Sequence, residues 1–379
     1  MKNKIFIILL LLLIPFRVNG EELIKNASSG VLMEANTGKI IYEKDKDKQV
    51  SIASMTKMVA QIIILEDIEN KKIKWSDKVT VSRNAAGMGG SQIYIAEGEV
   101  ITVEDLMKGI SVASGNDATV AMAEYISGTE EKFVKRMNKK VKELGLKNTH
   151  FVNCTGLDEE GHYSTAYDQA IIARELVIKH PEILKFSSIY EDYLRENTDN
   201  KFWLVNTNKL IRFYEGADGL KTGHTDNAGY CLAATAKRND LRIIGIVLGE
   251  ENSKVRNQET MDLLDYGFNN IKVNVLKNKG ELVKKIKIDK ADKEIINIVL
   301  KNNLSTIEEL NDKNKYNYKI NVNSIKIPIN KGDSIGTMEA YLNNKLVTSS
   351  ELVVDSDINK INFFKLYNKT IIDMISGIY

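Results

Sequence analysis

The chain opens on one unbroken apolar run and then breaks into shorter patterns. Lys2 and Lys4 precede the run Ile5–Ile14, and Pro15 with a short polar stretch leads on to Val18-Asn19-Gly20. A charged start, an apolar middle and a small-residue end in that order predict a secretory leader over residues 1–20, cut after Gly20. The run is too short to span a bilayer comfortably, and an uncleaved anchor is the alternative reading.

Residues 21–270 then read as one α+β domain. GVLMEANTGKIIYEKD alternates around Asn36-Thr37-Gly38, the pattern of a hairpin. In SIASMTKMVAQIIIL, residues 51–65, the residues Met55, Met58, Val59, Ile62 and Ile63 recur with the spacing of one helix face. Thr102 and Asp105 make a capping box for another helix, and a third, rich in small apolar residues, runs from about Asp117 to Ile126. Residues 129–146 make an amphipathic surface helix stopped by Gly145, and 164–180 a further helix begun by Ser164 and Thr165. Past Gly219 the strand pattern returns, and GYCLAATAKRNDLRIIGIVLG reads as two strands joined by a tight turn at Arg238-Asn239-Asp240. The first hairpin and these late strands belong to one antiparallel sheet with the helices between them packed on its faces, a domain closed by its own two ends.

Residues 271–355 change texture into short, Lys-rich, alternating segments. Tyr316, Tyr318, Ile320 and Val322 share one face and Ile286 and Ile288 another, while Lys331-Gly332-Asp333 and Asn343-Asn344 supply turns. A separate small β-sandwich fits that pattern. In the last segment, residues 356–379, the residues Ile361, Phe364, Tyr367, Ile371, Ile375 and Ile378 fall on one helical face, with Lys365, Lys369 and Asp373 opposite. Too short and too charged to span a membrane, it fits an amphipathic helix lying in the membrane surface; a helix packed on its own domain is the other reading.

Charge and composition narrow the function. The chain carries 53 basic and 51 acidic residues, and losing Lys2, Lys4 and Arg17 with the leader leaves 50 against 51. A nearly neutral mature chain argues against nucleic acid as a partner. Two cysteines, Cys154 and Cys231, make no disulfide scaffold, and the sequence leaves open whether they are bridged or free. The histidines His150, His162, His180 and His224 are scattered without metal-ligand spacing, so neither a metal nor another cofactor is expected.

Lys57 stands out because it lies in the apolar run one helical turn after Ser54. Residues three apart share a helix face, so Ser54 Oγ and Lys57 Nζ can meet. A serine hydroxyl is a weak nucleophile until a base takes its proton. Lysine serves as that base only when neutral, which needs a downward pKa shift of roughly three units, or about 4 kcal/mol. Burial pushes in that direction and a second cation would add to it; the bland alternative is a lysine whose stem lies in the core while its charge reaches solvent. Lys221-Thr222-Gly223 is the candidate for the second cation. At the start of a strand it offers one charge and one hydroxyl to a carboxylate, and Gly223 lets a ligand approach the sheet edge. Ser114-Gly115-Asn116, between two helices, can pass protons and hold an amide, or can simply cap the helix that follows.

Only Ser54 has a lysine three residues on, and SGN and KTG each occur once, in the order S-x-x-K, SGN, KTG. S-x-x-K, S-D-N and K-T-G are the signature of penicillin-binding proteins and class A β-lactamases. With SGN as the middle block, and with NAAGMGGSQIYIAEGEVITVEDLMKGISVASGND, FVNCTGLDEEGHYSTAYD and ADGLKTGHTDNAGYCLAATAKR, the chain closely resembles the low-molecular-weight D-alanyl-D-alanine carboxypeptidases, penicillin-binding proteins of serine peptidase family S11. The likeness is dense over residues 30–250, and the β-domain and amphipathic tail match the family plan more loosely.

The resemblance implies roles. Ser54 attacks the carbonyl between the two terminal D-alanines of the peptidoglycan stem peptide, with Lys57 as general base. Ser114 returns a proton to the departing D-alanine and Asn116 holds the substrate amide. Lys221 and Thr222, with Gly223, bind the terminal carboxylate. The backbone N–H groups of Ser54 and His224 form the oxyanion hole. β-Lactams acylate the same serine and leave slowly. The tail attaches the exported protein to the outer face of the cytoplasmic membrane.

Two rivals are weaker. A class A β-lactamase carries Glu-x-x-Leu-Asn well before KTG; the nearest string here, Glu191-Asp192-Tyr193-Leu194-Arg195, lacks the asparagine and lies too close to Lys221. A non-catalytic wall-binding module has no need of Ser54, Lys57 and Ser114 together.

Overall fold

The computed structural model describes residues 22–288, 291–293, 295–362 and, beyond them, 364, 365, 367, 371, 374 and 375. The leader expected over residues 1–20 lies outside the described residues.

One antiparallel sheet organises the first domain. It contains β1 (Ser29–Glu34), β2 (Ile40–Lys44), β3 (Ala217–Thr225), β4 (Gly229–Arg238) and β5 (Leu241–Glu250), in the spatial order β2-β1-β5-β4-β3. The two chain ends of the domain therefore lie side by side, as the alternation predicts, and Arg238 pairs with Leu241 across a turn of Asn239 and Asp240.

Both faces of the sheet are covered, so its central strands are buried throughout. Along β1, Val31 and Met33 enter one core cluster and Leu32 the other. On β5, Ile244, Ile246 and Leu248 join the first cluster while Ile243 and Val247 join the second. Each such aliphatic side chain contributes about 1.5–3 kcal/mol by leaving water.

Helices α1 (Lys57–Glu69), α2 (Val103–Lys108), α3 (Asn116–Ser127), α4 (Glu130–Glu143) and α5 (Ala166–Lys179) lie on the first side. Thr102 caps α2 through the Asp105 N–H, Thr129 caps α4, and Thr165 caps α5. The second side is covered by α6 (Ser253–Asn270), whose Leu263 and Leu264 pack against the sheet. The sequence reading passed over this helix.

Strand Ile271–Lys277 begins where α6 ends and pairs with Leu304–Glu309, and Ile271 and Ile307 pack into the second cluster. A five-stranded antiparallel sheet follows, built from Leu282–Lys287, Ile295–Leu300, Lys345–Val354, Ser334–Leu342 and Asn317–Val322 in that spatial order. The alternation over 316–322 gives the expected strand, but Tyr318 and Ile320 remain 43% and 42% exposed. Their strand is the outermost of its sheet, with a neighbouring strand on one side only.

In the terminal stretch the described residues 364, 365, 367, 371, 374 and 375 are helical, with Phe364, Tyr367, Met374 and Ile375 exposed. No helix among the described residues is long and apolar enough to cross a membrane.

Candidate active site

Ser54 does not open an α-helix. It sits in a 3-10 turn, Ala53–Thr56, that leads into α1 at Lys57. The tighter turn keeps the three-residue spacing on one face. Lys57 Nζ donates to Ser54 Oγ at 2.8 Å, to Asn116 Oδ1 at 2.7 Å and to the Thr155 carbonyl at 2.7 Å. All three ammonium directions are used, so the lysine cannot reach solvent, and its exposure is 0%. The core-stem reading of this lysine is thereby excluded.

Burial lowers the Lys57 pKa to about 7, while Cys154 and Asp117 act weakly in the other direction. The expected second cation is Lys221. Lys221, also buried, is itself pushed well down by burial and then by Lys57 and Arg256.

The loop carrying Ser114 is shaped by its neighbours. Gly109–Ala113 forms a π-helical turn after α2, and Ser114 leaves it in the left-handed conformation, φ 63°. Gln61 on α1 donates to Ser111 Oγ at 2.9 Å and ties this turn to the helix bearing Lys57. Neither Ser114 nor Asn116 caps α3, whose N-cap is Gly115 without a side-chain bond. Instead Ser114 Oγ is buried with no hydrogen-bond partner among the described residues. Its hydroxyl is thus available to a ligand in the cleft that it lines together with Ser54. Asn116 donates through Nδ2 to Gly89 O at 2.7 Å, which leaves it a second N–H.

KTG lies in the middle of β3 rather than opening a strand. This is an edge strand, so its outer backbone groups face the cleft. Gly223 is needed for a different reason from the expected one: a Cβ there would come within 2.5 Å of the Ile52 carbonyl and 3.2 Å of Ala53 Cβ. The glycine admits the Ser54 turn, not a ligand, against the strand. Thr222 Oγ1 donates to Thr207 Oγ1 at 2.7 Å. Lys221 Nζ donates to Thr222 O at 2.9 Å and is only 1% exposed, behind the cleft wall. His224 is exposed and stacks on Tyr230 with ring centroids 4.0 Å apart.

Ser54, Ser114, Thr222, Gly223 and His224 line one cleft of about 410 Å³. A larger crevice of about 730 Å³ between the two domains touches none of them. Lys57, Asn116 and Lys221 stand behind the cleft's surface.

The sequence reading missed Arg256, Lys209, Thr207 and Tyr230, which also line it. For Arg256 a signal was present. Along α6 the buried positions are Arg256, Glu259, Thr260, Leu263, Leu264 and Gly267, so a charge occupies the core stripe just as Lys57 does. His162 packs into the turn that carries Ser54. Its Nδ1 accepts from the Val152 N–H, its Nε2 lies 2.7 Å from Thr56 Oγ1, and burial lowers its pKa to about 4. Cys154 and Cys231 are both free and buried. No cluster of metal-ligating side chains occurs among the described residues.

Comparison with known proteins shows the family. The family model described as D-alanyl-D-alanine carboxypeptidase matches residues 18–252, and that of the penicillin-binding protein 5 C-terminal domain matches 272–360. The chain is 47% identical over 357 residues to the D-alanyl-D-alanine carboxypeptidase DacF of Bacillus subtilis (strain 168), covering 93% of this chain and 91% of the relative. Among solved structures it is similar to penicillin binding protein 5 from Haemophilus influenzae, with TM-score 0.72, 31% identity and coverage of 88% and 98% of the two chains. It is also similar to penicillin-binding protein D2 from Listeria monocytogenes in its ampicillin-bound form, with TM-score 0.58, 33% identity and coverage of 64% and 97%.

Proposed function

The chain belongs to the D-alanyl-D-alanine carboxypeptidases, serine peptidases of the penicillin-binding type, and on that footing we propose that it cuts the terminal D-alanine from peptidoglycan stem peptides through an acyl-enzyme on Ser54. The observation that carries this reading is the 2.8 Å contact between Ser54 Oγ and a Lys57 amine with no exposure.

Neutral Lys57 takes the Ser54 proton as Oγ adds to the penultimate D-alanine carbonyl. The charge developing on the carbonyl oxygen is met by the backbone N–H groups of Ser54 and His224; one such donor is worth about 3 kcal/mol. Ser114 Oγ, with no partner among the described residues, passes its proton to the leaving amine and takes in exchange the one that Lys57 carries, which restores the neutral base. The free Nδ2–H of Asn116 holds the substrate amide. The Arg256 guanidinium receives the terminal carboxylate, and Thr222 Oγ1 joins it by turning its hydroxyl from Thr207, with the buried Lys221 behind them. A guanidinium suits a carboxylate because it offers two parallel donors. Water then releases the acyl-enzyme.

A β-lactam, presenting a strained amide to the same nucleophile, acylates Ser54. The ampicillin-bound Listeria relative supports that reading. Residues 1–20 export the chain, 21–270 form the peptidase domain, 271–355 the sandwich that spaces it from the membrane, and 356–379 lie on the outer face of the cytoplasmic membrane. The exposed apolar residues Phe364, Met374 and Ile375 support the last assignment.

The test is D-alanine release from a peptide ending in L-Lys-D-Ala-D-Ala, for wild type and Ser54→Ala side by side. Release by the first and none by the second is expected; equal release, or none from either folded protein, overturns the reading. Sedimentation with anionic vesicles, retained by the full mature chain and lost on ending it at residue 360, tests the tail.

A further inference from the structure

Residues 22–28 precede β1 and pack across the corner where β5 turns into α6. Ile24 is fully buried, and the absence of a side chain at Gly30 makes room for it. Ser28 donates through its N–H and Oγ to the Leu248 carbonyl at 2.8 and 3.0 Å. Gly249, the next residue, has no Cβ to strike it.

One carboxylate gathers the segment. Glu259 accepts from Lys25 N at 3.0 Å, Asn26 N at 2.9 Å, Asn26 Nδ2 at 2.8 Å and Ala27 N at 3.3 Å. Against it lies Glu250, the last residue of β5, 1% exposed, with neither oxygen met by a donor from another group among the described residues. Two carboxylates in contact away from water cannot both carry charge, so they share a proton. Burial and then Glu259 raise the Glu250 pKa to about 8. Burial opposes ionisation of Glu259, but Glu250 and the N–H groups of residues 25–27 hold its carboxyl below the ordinary value. The other charges near the pair are Lys44 on β2, which pairs with Glu22 at 2.9 Å, and Glu251.

This corner is the back of the cleft wall. Glu259 stands three residues from Arg256 on α6, and Thr260 Oγ1 binds the Arg256 carbonyl at 2.7 Å. Glu250 pairs across the sheet with Tyr230, which lines the cleft. We propose that Glu250 and Glu259 are positioning residues: by seating residues 22–28 on the first turns of α6, they hold Arg256 in place for the substrate carboxylate. The proposal rests on the reading of Arg256 given above.

It predicts a pH-dependent seat. The docked state keeps Glu250 protonated to higher pH than the undocked one, so docking weakens as pH rises to about 8. Because docking holds Glu259 ionised, it weakens again in strong acid, leaving it strongest at mildly acid pH. The experiment uses the full mature chain. Amide exchange at Lys25, Asn26 and Ala27, corrected for intrinsic rates, is followed alongside kcat and KM for a D-Ala-D-Ala peptide. Wild-type protection should fall about tenfold or more between pH 6 and pH 8. Glu250→Gln, whose amide donates to Glu259 at every pH, should show a flat profile. Glu259→Gln should lose protection throughout and raise KM about fivefold or more with kcat little changed.

Equal profiles in wild type and Glu250→Gln overturn the shared-proton seat. An unchanged KM in Glu259→Gln, where Arg256→Met does raise KM, overturns the positioning role alone. An unchanged KM in Arg256→Met overturns the carboxylate reading and the positioning role with it.

Discussion

Replacing Lys57 by methionine separates the base from the space it fills. Moving the lysine pKa from 10.5 to about 7 corresponds to about 5 kcal/mol spent on keeping the amine neutral inside the domain. Methionine fills similar volume without that cost. It leaves Asn116 Oδ1 and Thr155 O without their donor, at about 1–3 kcal/mol each. The two effects nearly cancel, so folded stability at neutral pH should change by no more than a few kcal/mol. Acylation should not survive. General-base assistance is worth about two to four powers of ten, and the amine in contact with Ser54 Oγ is that of Lys57.

The assay is stopped-flow acylation by a fluorescent penicillin, with thermal unfolding of the same samples. In wild type the acylation rate should rise with pH through about 7, as Lys57 loses its proton, and then level off. Between about 7 and 10.5 the folded state binds fewer protons than the unfolded chain, so wild-type stability should rise with pH across that window. Lys57→Met should lose the acylation slope and flatten the stability slope, to which Lys221, lowered in the same way, still contributes. Acylation within tenfold of wild type would refute the base; collapse of the fold would refute the balance between desolvation and hydrogen bonding.

Three further outcomes follow from the site. Ser114→Ala should slow acylation about a hundredfold without lowering the melting temperature, because its Oγ makes no hydrogen bond that folding relies on. Arg256→Met should raise KM about tenfold to a hundredfold with a smaller effect on kcat, as expected for a charge-assisted contact to the carboxylate, read from steady-state kinetics. Gly223→Ala should both destabilise the protein by about 1–3 kcal/mol and slow acylation, since the added methyl pushes the Ser54 turn away from β3; unfolding by urea together with penicillin binding checks it.

Much of this protein was legible before any coordinates. The change from alternation to helical spacing located β1, β2, β4, β5 and the helices from α1 to α5, because local periodicity reflects which face meets a core. Lys57 and Ser54 could be paired from their spacing alone, since a helical turn fixes that geometry within a few residues. Tertiary structure decided what local spacing cannot carry. KTG falls mid-strand and on an edge because of how five separated segments order themselves in a sheet. Gly223 serves the packing of Ile52 and Ala53, residues about 170 positions away. Ser114 is a relay candidate rather than a cap only because α3 begins at Asn116 and leaves that hydroxyl alone. Lys221 lies behind the wall it was expected to line, and Arg256, a charge in the core stripe of α6, reaches the cleft in its place. Sequence periodicity reports burial, which is a local average. Which buried charge faces which cleft depends on contacts between distant segments, and those exist only once the chain has closed on itself.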